Sequence, residues 1–383
     1  MSCQNEQTEE TKVVRVFCDG CFDAVHFGHA NSLRQARAMG DYLVVGVHND
    51  ADISTFKGPP LFTEKERYEM VRAVRWVDEV VEASTYWPST ETLAENNCDF
   101  ATHGDDMCIA SDGRDPYVQL KQANKLRVFK RTEGTSTTDI VDQVLYGLQL
   151  TPDVNQHRQL LNLVHLFATQ IDDRKHYTSN EHVHVYDYSS APQPIINGTH
   201  KTSSSVVRCV LCCTDGTTKQ TSTHQLNGAA REVTDNEQMR TGYIGGLWDL
   251  FHPGHLSLLR SAKEHCAKLI VGVQMPDQGS TLFNVYERSL SVLGCRLTDA
   301  VVINAPSCPS EDFLRQLQVD VVFSDSGQPA SKSKPGHVIT TQVLYPTNRL
   351  TTDDIIKRVH DNRAKFESRN HLKKNRESAS QLA

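Results

Sequence analysis

What the 383-residue chain lacks narrows its class first. No apolar run approaches the roughly 18 residues that a bilayer-spanning helix needs, so no integral membrane association is expected. The amino-terminal stretch MSCQNEQTEETKVV is polar and acidic, without the apolar centre of a secretory signal. Positive charge is not in excess. The formal net charge is −7 at pH 7, whereas a general nucleic-acid binder carries a basic face. Cysteine is plentiful, at 11 residues, but without a signal peptide buried free thiols are expected rather than disulfides. Cys209, Cys212 and Cys213 form a CxxCC cluster, yet no second pair follows at zinc-binding spacing, so no metal centre is expected there. The sequon at Asn197 carries no weight in a chain expected in the cytoplasm.

What is present is a repeat. The stretch CDGCFDAVHFGHANSLRQA, from Cys18 to Ala36, returns as GGLWDLFHPGHLSLLRSA, from Gly245 to Ala262. His26 and His29 recur as His252 and His255, an offset of 226 (252 − 26). Farther along, ERYEMVRAVRWVDEVV matches ERSLSVLGCRLTDAVV at an offset of 221 (287 − 66), so the second copy has lost five residues from the loop between. STTDIVDQV answers to LTTDDIIKRV, with Ser136 set against Leu350. Internal self-similarity on this scale marks a duplicated structural unit.

Each copy alternates short β-branched runs with helical patterns, which predicts a doubly wound α/β domain with a parallel sheet. In the first copy the strands read VVRVFC, YLVVGV, VDEVVEA, DFATHG and LRVFKR, with helices near 28–39, 63–75, 89–96, 116–124 and 136–148. Gly40 falls where a helix C-cap belongs, and Thr63-Glu64-Lys65-Glu66 reads as a capping box. The expected organisation is a domain at 12–150, a linker with partial structure at 151–240, a second domain at 241–365 and a polar tail at 366–383. Within the linker RQLLNLVHLFATQI has helical periodicity, and HVHVYDY and VVRCVLCC read as short strands. From Lys357 to Arg376 the chain holds eight Lys and Arg with few apolar residues, the pattern of a solvated basic helix rather than of a membrane-binding one.

A strand, a Gly-containing turn and two histidines at the start of a helix make a phosphate-binding arrangement. The helix start offers unpaired N–H groups and partial positive charge. Imidazoles at i and i+3 share one face, and Gly28 lets a ligand approach the backbone closely. Together, DGCFDAVHFGH and the later RTEGTSTTD, from Arg131 to Asp139, resemble the two signatures of the HxGH nucleotidyltransferase superfamily. With KGPPLFTEKERYEMVRAVRWVDEVV and HGDDM, they resemble its cytidylyltransferase branch and, within it, the ethanolamine-phosphate cytidylyltransferases, which also have tandem domains. Choline-phosphate cytidylyltransferases resemble the first copy but carry a long lipid-sensing helix that this chain lacks.

The resemblance implies two tandem Rossmann-like nucleotidyltransferase domains and transfer of CMP from CTP to phosphoethanolamine, with Mg²⁺ accompanying the CTP. His26 and His29 would donate to the transferring and leaving phosphates, Lys57 would bridge the phosphates of both substrates, and Arg131 would clamp the departing pyrophosphate. Cys21, Phe22, Gly28, His103, Gly104, Thr132, Gly134, Thr135, Ser136 and Thr137 would surround CTP. Asp105 is the candidate for the ammonium or the cytosine edge. Asp23 is open to either substrate binding or a structural bond within its turn. Trp76 and Trp87 read as packing residues.

The second copy keeps Asp249, His252, Gly254 and His255, but no lysine lies between Met275 and Tyr286. Arg131 is set against Tyr345, Gly134 against Asn348 and Asp105 against Ser326. It is therefore expected not to turn over, while retaining a weak nucleotide site at Leu247, Trp248, His252 and His255 or serving as a packing partner for the first domain. The residues leave open a homodimer, peripheral contact with the endoplasmic reticulum, another phospho-alcohol such as phosphocholine or glycerol 3-phosphate, an ATP-using adenylyltransferase, and a non-catalytic nucleotide-binding scaffold.

Overall fold

A computed structural model describes residues 12–106, 110, 112–147, 154–169, 183–188, 208–209, 240–276, 281–324, 340–344 and 347–381. Cys212, Cys213, the Asn197 sequon, Ser326 and Tyr345 lie outside them.

In chain order the first copy forms β1 (Arg15–Gly20), α1 (Phe27–Arg37), β2 (Tyr42–His48), α2 (Asp50–Phe56), α3 (Glu64–Arg72), β3 (Glu79–Ser84), α4 (Thr90–Glu95), β4 (Phe100–Gly104), α5 (Val118–Gln122), β5 (Leu126–Phe129) and α6 (Thr137–Tyr146). The five strands are parallel, in the order β3-β2-β1-β4-β5. Their residues are buried on both faces at the centre, as in Phe17, Val44, Val45 and Ala101, which is why they read as continuous apolar runs. Strand order reverses between β1 and β4, and such a switch point opens a crevice at the strands' carboxyl ends.

The caps follow local chemistry. Thr63 and Glu66 form the expected capping box on α3, and Ser136 caps α6 by accepting from the Asp139 N–H. Two local features differ from expectation. Helix α2 was not foreseen; Asn49 caps it by accepting from the Asp52 N–H at 2.7 Å. Helix α1 ends at Arg37 with Ala38, not Gly40, as its C-cap. Gly40 instead allows close packing, since a Cβ there would meet Val16 Cγ2 at 2.4 Å.

After the linker helix α7 (Val154–Thr169) and strands β6 (His184–Asp187) and β7 (Arg208–Cys209), the second copy forms β8 (Thr241–Gly246), α8 (Pro253–Lys263), β9 (Lys268–Gln274), α9 (Val285–Leu293), β10 (Ala300–Ala305), α10 (Glu311–Gln316), β11 (Val321–Ser324), β12 (Thr340–Val343), α11 (Thr352–Asp361) and α12 (Arg363–Gln381). Five of its strands repeat the first sheet's order as β12-β11-β8-β9-β10. The linker adds to this sheet: β6 pairs parallel with β10, and β7 antiparallel with β6.

The two copies pack face to face with approximate two-fold symmetry. Arg75 and Arg296, equivalent by the 221 offset, exchange contacts: the Arg75 N–H donates to Gly294 O at 2.8 Å and the Arg296 N–H to Ala73 O at 2.9 Å. Their guanidinium groups cap the carbonyls of Cys295 and Val74 in turn. The helix contacts are reciprocal as well, α1 with α9 and α8 with α3. Trp76 packs edge-on against Phe167 of α7 at 4.8 Å, and one apolar core runs through both copies.

The basic tail departs from expectation. Helix α12 is not a solvated tail; it lies on the first domain. Phe366 is buried, Asn370 donates to Asp142 Oδ1 at 2.8 Å, and Lys374 pairs with Asp142 at 2.6 Å. The acids that accept these cations lie more than two hundred residues away in sequence, so composition alone reads the segment as solvated.

Candidate active site

The first-domain site forms where β1 and β4 end. His26 is the N-cap of α1 and His29 its third residue. His26 Nδ1 accepts from the Gly28 N–H at 3.1 Å, and His29 Nδ1 from the His26 N–H at 3.4 Å. Both Nδ1 atoms are thus acceptors, so each neutral ring carries its proton on Nε2 and presents a donor. The ring centroids lie 3.9 Å apart. Burial pushes His29 down to about 3 and His26 well below the ordinary imidazole value, with Arg131 and Lys373 depressing both further. Two neutral, preoriented N–H donors result.

The second signature closes over them. Thr135 is buried, with Oγ1 3.5 Å from His26 Nδ1. Thr137 Oγ1 donates to Asp23 O at 2.8 Å, tying the start of α6 to the first turn. Thr132 Oγ1 accepts from Asn31 at 2.8 Å. Gly134 adopts φ of 78° in the turn before α6. A Cβ on Gly28 would meet Thr135 Cγ2 at 2.7 Å, so the glycine is needed for this closure. Phe22 is buried with its ring 5.6 Å from His29, and Cys21 O accepts from Arg67. Arg131 pairs with Asp106 at 3.1 Å on the half-exposed rim. Lys57 ends α2, its ammonium 6.0 Å from the Tyr86 ring centroid.

The two carboxylates named as acceptor candidates sit in different surroundings. Asp105 sits on the exposed rim, where its Oδ1 accepts the Arg131 N–H at 2.8 Å. Asp23 is buried, and its carboxylate accepts the N–H groups of Leu61 and Phe62. Asp249 does the same for Leu282 and Phe283, so this Asp anchors a loop in both copies.

A third carboxylate, passed over by sequence reading, is buried at the end of β1: Asp19. It is 3% exposed, and its Oδ1 accepts from Tyr117 OH at 3.1 Å. His48 Nε2 faces Oδ2 at 3.5 Å. His48 Nδ1 lies 3.2 Å from Ser84 O; a carbonyl only accepts, so Nδ1 holds the ring proton and Nε2 presents a lone pair. Asp19 Oδ2 is thus buried without a donor. Burial pushes the Asp19 carboxyl up to about 7 against the opposing pull of Tyr117 and Lys57. The ring of His103, with Nδ1 3.0 Å from Gly104 O, lies 4.7 Å from that of Tyr117 and adjoins this pocket. No sequence pattern marks Asp19 apart from its place at a strand end beside a glycine.

The second copy keeps the histidines and loses their surroundings. His252 Nδ1 accepts from the His255 N–H at 3.3 Å, but Thr352 Oγ1 sits 3.4 Å from His252 Nε2, and Leu350 O would lie 1.9 Å from a Cβ on Gly254. Trp248 is buried, donating to Gly272 O at 2.9 Å, while Leu247 is exposed. The Asp19 position is Gly245, and Gln274, at the His48 position, fills the space a Cβ there would take, its Nε2 2.5 Å away. The last motif also changes register. Ser136 and Thr351 are the equivalent N-caps, and Thr137 and Thr352 both donate to the carbonyl of the preceding motif's Asp. The offset is therefore 215 (351 − 136), which sets Gly134 against Arg349 in place of Asn348, while the segment facing Arg131 lies outside the described residues. His255→Ala is accordingly expected to leave kcat within about tenfold of wild type in a steady-state assay.

Parallel sheets with paired histidines at a helix start define a cytidylyltransferase-like protein. The Cytidylyltransferase-like family model matches residues 17–143 and 243–365. An ethanolamine-phosphate cytidylyltransferase from Mus musculus is 36% identical over 97% of this chain and 91% of its own length. One from Dictyostelium discoideum is 36% identical over 97% of each. Choline-phosphate cytidylyltransferase A from Rattus norvegicus is 40% identical, but over 34% of this chain and 36% of its own. The chain belongs to the ethanolamine-phosphate cytidylyltransferases. No helix among the described residues is long and apolar enough to cross a membrane.

Proposed function

We propose that the first domain transfers CMP from CTP to phosphoethanolamine, releasing pyrophosphate and giving CDP-ethanolamine for phospholipid synthesis. The acceptor phosphate attacks the α-phosphorus in line while the bond to the pyrophosphate oxygen breaks. The nucleophile is already anionic at neutral pH, so no general base is required. The barrier is crowded negative charge, and the site lowers it by positioning and by fixed donors. The Nε2–H groups of His26 and His29 point at the transferring and leaving phosphates, the start of α6 adds its N–H groups, and Lys57 and Arg131 supply cations. Arg131 leaves Asp106 to clamp the pyrophosphate. Mg²⁺ enters as part of the CTP substrate, held by its phosphates. Both substrates are water-soluble, which supports action in the cytoplasm.

The orphaned Asp19 Oδ2 carries the choice of acceptor. A primary ammonium has three N–H donors and satisfies it; a trimethylammonium has none. A site built for an N–H donor rejects analogues that lack one strongly. Pyrophosphate release by the purified chain should therefore favour phosphoethanolamine over phosphocholine by at least about a hundredfold in kcat/KM, and CTP over ATP. Absence of release with CTP and phosphoethanolamine overturns the reading. Lys57→Ala should raise the KM for a substrate and cut kcat by about 10²-fold, the scale of one lost transition-state donor; unchanged kinetics removes Lys57 from the site.

A further inference from the structure

The loop that carries Lys57 is held from two directions. From within its own domain, Asp23 accepts the N–H groups of Leu61 and Phe62. From the far end of the chain, Arg358 of α11 donates to Leu61 O at 3.0 Å and pairs with Glu66 through its two terminal guanidinium nitrogens, at 2.8 and 3.0 Å. Arg369 of α12 donates to Pro59 O at 2.9 Å and lies 3.4 Å from Asp23 Oδ2. Its side chain is 11% exposed, and its aliphatic stem covers Gly58, where a Cβ would meet Arg369 Cγ at 2.9 Å. Lys57 is followed directly by this Gly58-Pro59-Pro60 segment. One turn farther along α12, Lys373 donates to Thr138 Oγ1 at 3.2 Å, at the first turn of α6.

We propose that the second copy completes the first-domain site through its carboxyl-terminal helices: Arg369, supported by Arg358, is a positioning residue that fixes the Gly58–Leu61 segment and with it the Lys57 ammonium. This inference rests on the transferase reading above. It gives the degenerate copy a task that its own histidines do not perform, since the packed domains carry α11 and α12 to a loop some three hundred residues earlier. A planar guanidinium suits the task because it reaches a carboxylate and a carbonyl in one fixed geometry. Glycine and the exposed end of a short helix give the loop freedom of its own, and a mobile lysine loses effective concentration at the phosphates.

A double-mutant cycle on the full-length chain tests it. Arg369→Ala in the wild-type background should lower kcat/KM for CMP transfer about thirtyfold, with Arg369→Lys recovering part of the loss. In a Lys57→Ala background the same Arg369→Ala change should cost less than about threefold, because the ammonium it positions is already gone. Equal losses in both backgrounds mean that Arg369 acts independently of Lys57 and overturn the proposal, as does full wild-type activity of Arg369→Ala. Thermal unfolding of each variant identifies a loss due to misfolding, and Arg358→Ala then supplies a second cycle with the same expectation. Failure of the wild-type chain to release pyrophosphate would instead defeat the transferase reading, so the two failures are distinct.

Discussion

His29→Ala should lower kcat for CMP transfer by roughly 10²–10³-fold, the loss typical of removing one preorganised donor to developing charge. The reason lies in how the ring is held. Its Nδ1 accepts a backbone N–H from His26, which leaves Nε2–H as the donor without any reorganisation at the moment of reaction. Because burial keeps the free ring neutral, with its value pushed down to about 3, the donor is present across the neutral range. The variant's kcat should therefore fall at every pH from 6 to 9 rather than at one end of the profile. A loss confined to low or high pH would mean that the imidazole acts by gaining or giving up a proton instead.

Asp19→Asn should reduce kcat/KM for phosphoethanolamine by about 10²–10³-fold, the scale of breaking a buried charge pair, while leaving the KM for CTP within a few fold. The wild-type profile should also show the group. The carboxyl titrates near 7 in the free protein, so kcat/KM for phosphoethanolamine should rise with pH through that region. The acceptor's phosphate contributes its own step near 6, and only that step should survive in Asp19→Asn. Stability provides an independent check with a fixed sign. Between the ordinary Asp value of 3.8 and about 7, the folded chain keeps a proton that the unfolded chain has released. Its stability therefore falls as pH rises through this window. Asp19→Asn removes that slope, so the variant should gain thermal stability relative to wild type at pH 8 and show little difference near pH 3.5. A variant with wild-type acceptor kinetics would take Asp19 out of the pocket.

Much of the architecture was written locally. The strand and helix alternation, the capping boxes and both HxGH turns depend on residues within a few positions of one another, and these give the two parallel sheets and the paired imidazoles directly. The loss of the Lys57 counterpart was also readable by comparing copies. Helix α2 has a local signal as well, Asn49 three residues before Asp52, but the short polar segment has too weak a periodicity to stand out. The last motif slipped by one residue because Thr137-Thr138 and Thr351-Thr352 allow either register in sequence; hydrogen bonds to the carbonyls of Asp23 and Asp249 select one.

The sequence by itself determined that this chain carries two copies of a phosphate cradle and that one copy lacks its cations. Only the tertiary structure decided which carboxylate is left unsatisfied. Asp19, Asp23 and Asp105 look alike in sequence, and they differ in what the fold sets against them: backbone N–H groups for two, and for the third a tyrosine hydroxyl on one oxygen while the other faces only an imidazole lone pair. The same holds for α12. A row of lysines and arginines reads as solvated until the packing of two domains sets it against Asp23, Asp142 and the Lys57 loop, because electrostatic pairing acts through distance in space and leaves no periodicity along the chain.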